Sequence, residues 1–323
     1  MIIRRQTRPN RPIDLAGYRS DRPRYRHTRA RVLRLLNRYV TIDLLSDRLS
    51  DLPAQFINPQ PRHWESIDSK GINRSQIVGI HPETFLQVIA GASEIEAPIR
   101  AYSQESRSYL ERLHPEMAQF MGGSIAADGS ITLGLWEKEE RQHAPIFTKI
   151  YQQLTETKLT IKPNLVQGYI PTNNPWADVQ QHVLARITTE WGAVSVYLWL
   201  MAHSTGELQQ AIAQPLQDEI NHLAKFWGFS RWAFADSFLH QFQGSTRHIL
   251  ALLRHHKSDR TYGNDLLGRT HRLHNIVLAV ELSFTLLQVM VRLRLWNREL
   301  SHSYLKHLFG QPLTSDRTPV QVI

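Results

Sequence analysis

A carboxylate and an imidazole three residues apart occur twice in this 323-residue chain. They are Glu140-Arg-Gln-His143 within WEKEERQH and Glu219-Ile-Asn-His222 within QDEINHLAKF. On an α-helix, positions i and i+3 are neighbours on one face, so each motif aims two metal-ligating side chains in one direction. Another acid, Glu190, lies in the amphipathic segment between the motifs, and Glu94 and Glu96 precede the first. The order is therefore Glu, Glu-x-x-His, Glu, Glu-x-x-His. Glu96 and Glu140 are 44 residues apart, Glu140 and Glu190 are 50 apart, and Glu190 and Glu219 are 29 apart. At a rise of about 1.5 Å per helical residue, each gap lets the chain leave one helix and return on another at similar depth.

This is the ligand order of ferritin-like di-iron bundles, in which a Glu comes from each of two helices and a Glu-x-x-His from each of the other two. It predicts an all-α protein: a ferritin-like four-helix bundle with additional N- and C-terminal helices. The chain has no cysteine. Disulfides, iron–sulfur clusters and thiolate zinc sites are thereby excluded, and a metal must rest on His and carboxylate. A soluble, cytoplasmic setting fits this composition. The longest apolar candidate for a membrane span, Ile276 to Val291, carries Glu281 and Gln288 and reads as a buried helix. No apolar signal-peptide core stands at the N-terminus.

The formal charge of +9 is unevenly placed. Residues 1–38 carry twelve arginines against two aspartates, a net of +10, whereas residues 39–246 carry fifteen basic and twenty-two acidic groups, a net of −7. The segment with both motifs is thus acidic. Buried glutamates facing a cationic metal pair would produce such an excess, and so would a solvated acidic surface.

Periodicity divides the chain into an Arg-rich arm at 1–27, an N-terminal helix and connector at 28–80, the bundle at 81–257 and a C-terminal helical extension and tail at 258–323. Within these, helices are expected over 28–49, 82–113, 130–157, 176–202, 207–226, 231–257 and 264–298. The stretch 50–80 reads as irregular, MGGSIAADGS as a loop, and 163–175 as a turn-rich crossover. No alternating strand pattern is evident. Pro98 and Pro145 each follow a candidate ligand by two residues. Inside a helix each would cost about 3 kcal/mol, so they imply either kinks that widen the bundle or outright helix breaks.

At motif level, over about residues 80–257, the chain resembles the soluble acyl-ACP desaturases. Their second bundle helix reads W-T-A-E-E-x-x-H, matched by Trp136-Glu137-Lys138-Glu139-Glu140-Arg141-Gln142-His143, and their fourth carries D-E-x-x-H, matched by Asp218-Glu219-Ile220-Asn221-His222. Their first ligand helix has a glycine five residues before the Glu and a tyrosine six after it, a spacing reproduced by Gly91, Glu96 and Tyr102. This favours Glu96; Glu94 would fit the related aldehyde-processing oxygenases, whose motif reads E-x-E-A.

The resemblance implies two iron ions as cofactor. Glu140 and Glu219 would bridge them, Glu96 with His143 would complete one site, and Glu190 with His222 the other. A metal-bound His usually gives its second ring nitrogen to a carboxylate. The approximate twofold relation of the motifs then pairs Asp218 with His143 and Glu139 with His222. Where the family commonly has a threonine three residues after its third-helix glutamate, this chain has Ala193.

The function so implied is O₂-dependent oxidation of a fatty acyl chain in lipid biosynthesis, the substrate being borne by an acyl carrier protein. No G-x-G-x-x-G follows a strand, so flavin and nicotinamide sites are not expected and electrons would come from a ferredoxin-like donor. A di-iron hydroxylase, an aldehyde-processing oxygenase and a metal-binding bundle without C–H chemistry are the alternatives. The Arg-rich arm suits an acidic carrier or membrane surface, or a solubilising tail, better than nucleic acid, since Tyr18 and Tyr25 make no stacking platform. The cluster His248, His255, His256, His271 and His274 has irregular spacing with no repeating carboxylate, and reads as surface. The oligomeric state stays open between one chain and a homodimer.

Overall fold

The computed structural model describes residues 25–111, 114–160, 173–234 and 266–310. Most of the Arg-rich arm, the crossover before Asn173, most of the expected helix over 231–257 and the side chains of the five clustered histidines lie outside that set.

Among the described residues the fold is all-α, apart from one hairpin of two-residue strands. In chain order the helices are α1 (Tyr25–Tyr39), α2 (Ile42–Ser50), α3 (Leu52–Ile57), α4 (Pro82–Ile95), α5 (Ile99–Leu110) and α6 (Pro115–Gly122). Strands β1 (Ser124–Ile125) and β2 (Ile131–Thr132) follow. Then come α7 (Leu135–Glu140), α8 (His143–Thr155), α9 (Pro175–Ala202), α10 (Gly206–Ala233), α11 (Leu266–Asn297) and α12 (His302–Phe309).

The long pair α9 and α10 forms the centre, with α4 packed on α8, α5 on α6 and α9, and α7 and α8 reaching α10. Trp191, Val194 and Leu198 of α9, and Ile212, Leu216, Ile220 and Leu223 of α10, recur at helical spacing and are buried. Almost every residue of α10 from Ala211 to Ser230 is buried, charged ones included. A helix covered on all sides is where a buried polar site is best shielded from water. Outside this centre, α11 lies along α9, held where Trp199 Nε1 donates to Glu281 Oε2 at 2.9 Å and His203 Nε2 lies 3.0 Å from the same oxygen. Glu281 is thus a buried structural acid, and no described helix is long and apolar enough to cross a membrane.

Several expected helices are broken, and the breaks have local causes. The expected helix over 82–113 divides at Glu96–Pro98. A proline disfavours helical geometry in the residue before it and has no N–H to continue the ladder, so α4 ends with Glu96 as its C-cap and α5 starts after Pro98. The expected helix over 130–157 starts instead at Leu135 behind Gly134, and breaks at Arg141–Gln142. There the ring of Pro145 would meet the Arg141 carbonyl four residues back. Both break residues keep right-handed helical dihedrals, so Glu140 and His143 stay on one face across the interruption. The expected helix over 28–49 is likewise split, with Thr41 capping α2 through Leu44 N.

Three further elements depart from expectation. The connector contains α3, Pro115 opens α6 at its first turn, and α12 lies in the expected tail, capped by Ser301. The expected loop is a hairpin whose turn uses Asp128-Gly129, Gly129 having φ +81°. At its base Gly123 has φ +70°, and a β-carbon there would stand 1.7 Å from the Thr132 carbonyl. Only glycine lets β2 fold back this tightly and deliver α7 to the core. Gly228 serves a different end, since a β-carbon would lie 2.4 Å from Leu49 Cδ1, where α2 rides against α10.

Candidate metal centre

Six side chains from five helices and their ends converge. Glu96 ends α4, Glu140 ends α7, His143 starts α8, Glu190 lies in α9, and Glu219 and His222 lie in α10. All are buried, none more than 7% exposed. They form two groups, Glu96–Glu140–His143–Glu219 and Glu140–Glu190–Glu219–His222, and within each group one ligand atom per residue lies within 4.8 Å of the others.

Glu140 and Glu219 belong to both groups, which is the bridging position the resemblance implies for them. Glu140 sets one oxygen 3.1 Å from His143 Nδ1 and the other 2.9 Å from His222 Nδ1. Glu219 Oε1 lies 3.0 Å from His143 Nδ1. The terminal carboxylates stand further off, Glu96 at 4.0 Å from His143 Nδ1 and Glu190 at 3.7 Å from His222 Nδ1. Glu94 is half-buried and belongs to neither group. Two residues further along a helix is a turn of about 200°, so Glu94 and Glu96 cannot both face one point.

The outer nitrogens are engaged. His222 Nε2 lies 2.8 Å from Glu139 Oε2, and His143 Nε2 lies 3.3 Å from Asp218 Oδ2. These are the crossed partners expected of the residues that precede Glu140 and Glu219. A hydrogen bond at Nε2 fixes the tautomer that leaves Nδ1 free to accept a metal. The pairs are themselves pinned by the connector between α3 and α4. Arg62 Nε donates to Asp218 Oδ1 at 2.5 Å, Trp64 Nε1 to Asp218 Oδ2 at 2.8 Å, and the Arg62 backbone N–H to Glu139 Oε1 at 2.7 Å. The same guanidinium donates to the Gln214 side chain and carbonyl. Two more donors orient the terminal acids: Trp136 Nε1 reaches Glu190 Oε1 at 3.2 Å, and the Tyr197 hydroxyl donates to Glu96 Oε1.

Arg62, Trp64, Gln214 and Tyr197 were not singled out by the sequence. For Tyr197 a signal exists, since it falls seven residues, or two turns, after Glu190. For Arg62 and Trp64 none does, because an irregular segment has no period to read. Ala193, one turn from Glu190, is half-buried against the core and has no polar side-chain atom.

The arrangement fits metal ions. His143 Nδ1, His222 Nδ1 and Glu219 Oε1 are buried yet have no hydrogen-bond partner, although carboxylate oxygens or ring nitrogens lie close by. A buried polar atom without a partner costs about 1–3 kcal/mol. The two imidazoles belong to different ligand groups and Glu219 to both, and a mixed set of hard carboxylates and imidazoles suits iron or manganese.

The electrostatics show the same tension. Burial, then the Glu140 charge, pushes Glu96 up to about 8, while His143 and the Tyr197 hydroxyl act the other way. Burial, then Glu140 and Glu190, raises Glu219 well above the carboxylate range. Burial would lower both histidines, but Glu140, Asp218 and Glu219 around His143, and Glu139, Glu140 and Glu190 around His222, raise them instead. Burial would raise Glu140 too, but the two imidazoles hold it below its ordinary value. Protons thus occupy the positions that metal ions would take.

No family model, curated protein or solved structure matches this chain. The site is therefore read from its own geometry.

Two outcomes follow for measurement. Glu94→Gln should leave the metal content of iron-loaded protein unchanged, and Glu96→Gln should lower it by roughly one ion per chain; the reverse pattern would make Glu94 the ligand. The metal-free protein should also become less stable as pH rises. Glu96, Glu219, His143 and His222 all bind protons more tightly in the folded chain than in the unfolded one. Between about pH 6.5 and 8 the native state therefore holds more protons, and stability falls with pH. Below about pH 6.5 the trend is opposed by His114 and His182, which burial holds under the ordinary imidazole value, and below about pH 4.5 by the depressed acids Glu140 and Asp218. With ferrous iron the ligands are deprotonated, so the added stabilisation should grow with pH. Melting temperatures at about pH 6.5 and 8, with chelator and with iron, separate the two slopes.

Proposed function

We propose that this chain is a ferritin-like, non-haem di-iron oxidoreductase that uses O₂ to oxidise a fatty acyl chain, in the manner of the acyl-ACP desaturases. The observation that carries the proposal is the pair of buried ligand groups sharing Glu140 and Glu219. A single metal site would need neither the second His nor a carboxylate with one oxygen toward each imidazole. The crossed pairs His143–Asp218 and His222–Glu139 support it further, because ordinary surface residues would not be oriented from behind.

An iron pair bound here would supply two-electron activation of O₂ for cleavage of an unactivated C–H bond. The protein's part is to hold and shield that pair. Glu96 and Glu190, each further from its imidazole than Glu140 is and each oriented by a donor, would complete the two ends of the pair. Trp136 beside His222, Tyr197 beside His143, and Phe147 packed on Tyr197, all buried, exclude water around it. The acyl chain would arrive on an acyl carrier protein and the electrons from a ferredoxin-like donor.

Ala193 favours a second reading of the outcome, a di-iron hydroxylase. Lacking a hydroxyl one turn from Glu190, the centre has no donor at that position to manage protons of bound oxygen species.

Iron-loaded protein given reduced ferredoxin and an acyl-ACP should consume O₂ in proportion to the acyl substrate. A product two hydrogens lighter marks desaturation, and one oxygen heavier marks hydroxylation. Ala193→Thr should shift the ratio between these products with iron content unchanged. If O₂ uptake is independent of every acyl substrate, the oxidoreductase reading is wrong and a metal-binding bundle remains.

A further inference from the structure

The two helix breaks beside the centre face each other across α4, α5 and α8, and a cleft of about 680 Å³ opens between them. That is within the range of roughly 300–1,000 Å³ in which small-molecule sites fall. Its floor is Glu96, a candidate ligand. Its walls are apolar, formed by Ala97 and Ile99 from one break and Ala144 and Pro145 from the other. Thr148 and Gln152 also line it; Thr148 spends its hydroxyl on Ser93 Oγ, 2.9 Å away, which leaves the exposed Gln152 as an uncharged polar group beside Lys149 toward the outer end.

The rim is cationic. Arg141 and Lys149 line it, and Glu96 at the bottom is the one acid in the lining. Arg141 is already engaged, its guanidinium 2.9 Å from the buried Glu137 carboxylate. Lys149 is exposed and, among the described residues, makes no ion pair. A positive rim repels ferrous iron, so this opening is ill suited to metal entry, and it attracts anions. Lys149 lies six residues beyond His143 on α8, on the order of 9 Å along the helix axis. An anion held there leaves a length of apolar wall between itself and the centre.

We propose that this cleft is the substrate site and that Lys149 holds the anionic end of an amphipathic substrate, with its apolar chain running down to Glu96. The inference rests on the oxidoreductase reading of the centre, and it places the oxidised carbon far from the anionic group. The anion is a free carboxylate or the phosphate of a phosphopantetheine thioester, which offer Lys149 the same chemistry.

Calorimetry on iron-loaded full-length protein tests this with three probes: dodecanoate, S-dodecanoyl-phosphopantetheine and neutral dodecanol. At least one anionic probe should bind, and Lys149→Glu should weaken it by about tenfold or more, the loss of one charge-assisted contact, with dodecanol unaffected. Which anionic probe responds identifies the source of the anion. Thr148→Trp, which fills the cleft, should remove binding of all three. Because Lys149 is exposed, its variant tests the proposal even if the Trp variant does not fold. Equal affinity of wild type and Lys149→Glu for both anionic probes, or no binding of any probe to wild type, would overturn it. Iron content measured on each protein keeps the two inferences apart, since binding that depends on Lys149 in a chain without iron would defeat the proposed function and leave the site standing.

Discussion

Everything in this fold answers to the burial of charge at its centre. Four glutamates and two histidines are removed from water between α4, α7, α8, α9 and α10, and taking an ion out of water costs several kcal/mol even after the protein relaxes. Protons on Glu96, Glu219 and the imidazoles offset part of that cost, with His143 Nδ1 and His222 Nδ1 facing Glu140 oxygens at 3.1 and 2.9 Å. Two divalent cations would balance four carboxylates and take the place of those protons. Such a cluster at the heart of an otherwise apolar core could hold metal ions.

The surrounding structure holds the ligands from behind. Asp218 accepts from Arg62 and Trp64 and faces His143, while Glu139 accepts from the Arg62 backbone and faces His222. One irregular segment thus sets both imidazoles. The helix breaks give access. Without the breaks at Glu96–Pro98 and Arg141–Gln142, α4 with α5 and α7 with α8 would run on as continuous walls; with them, a cleft reaches Glu96 from outside. The prolines cost helix stability, and the opening lies where they interrupt the hydrogen-bond ladder.

Legibility in the sequence followed periodicity. Residues 140, 143, 219 and 222 declare themselves because i and i+3 is a helical neighbourhood, and α9 because its apolar residues repeat along its whole length; α10 is legible only in part, since it runs on to Ala233 through the break expected between 226 and 231. Glu139 and Asp218 could be read from their place before the shared acids. Arg62 and Trp64 could not, since what brings them to the centre is tertiary packing of a stretch with no repeat. The hairpin is not legible although Asp128-Gly129 between Ile125 and Ile131 is a turn signal, because two-residue strands are too short to alternate. Pro98 and Pro145 were visible, but whether a proline kinks or breaks a helix depends on what packs around it. Short helices such as α6 and α12 offer a cap and little else.

The central claim is that this chain binds a pair of iron ions in one buried centre. The most direct measurement is the iron content of the full chain after anaerobic loading with excess ferrous iron and removal of loosely held metal, read together with the absorption of the air-oxidised protein. The account predicts about two irons per chain and the near-ultraviolet bands of an oxygen-bridged ferric pair. One iron per chain, none, or two irons without any sign of coupling between them would contradict it.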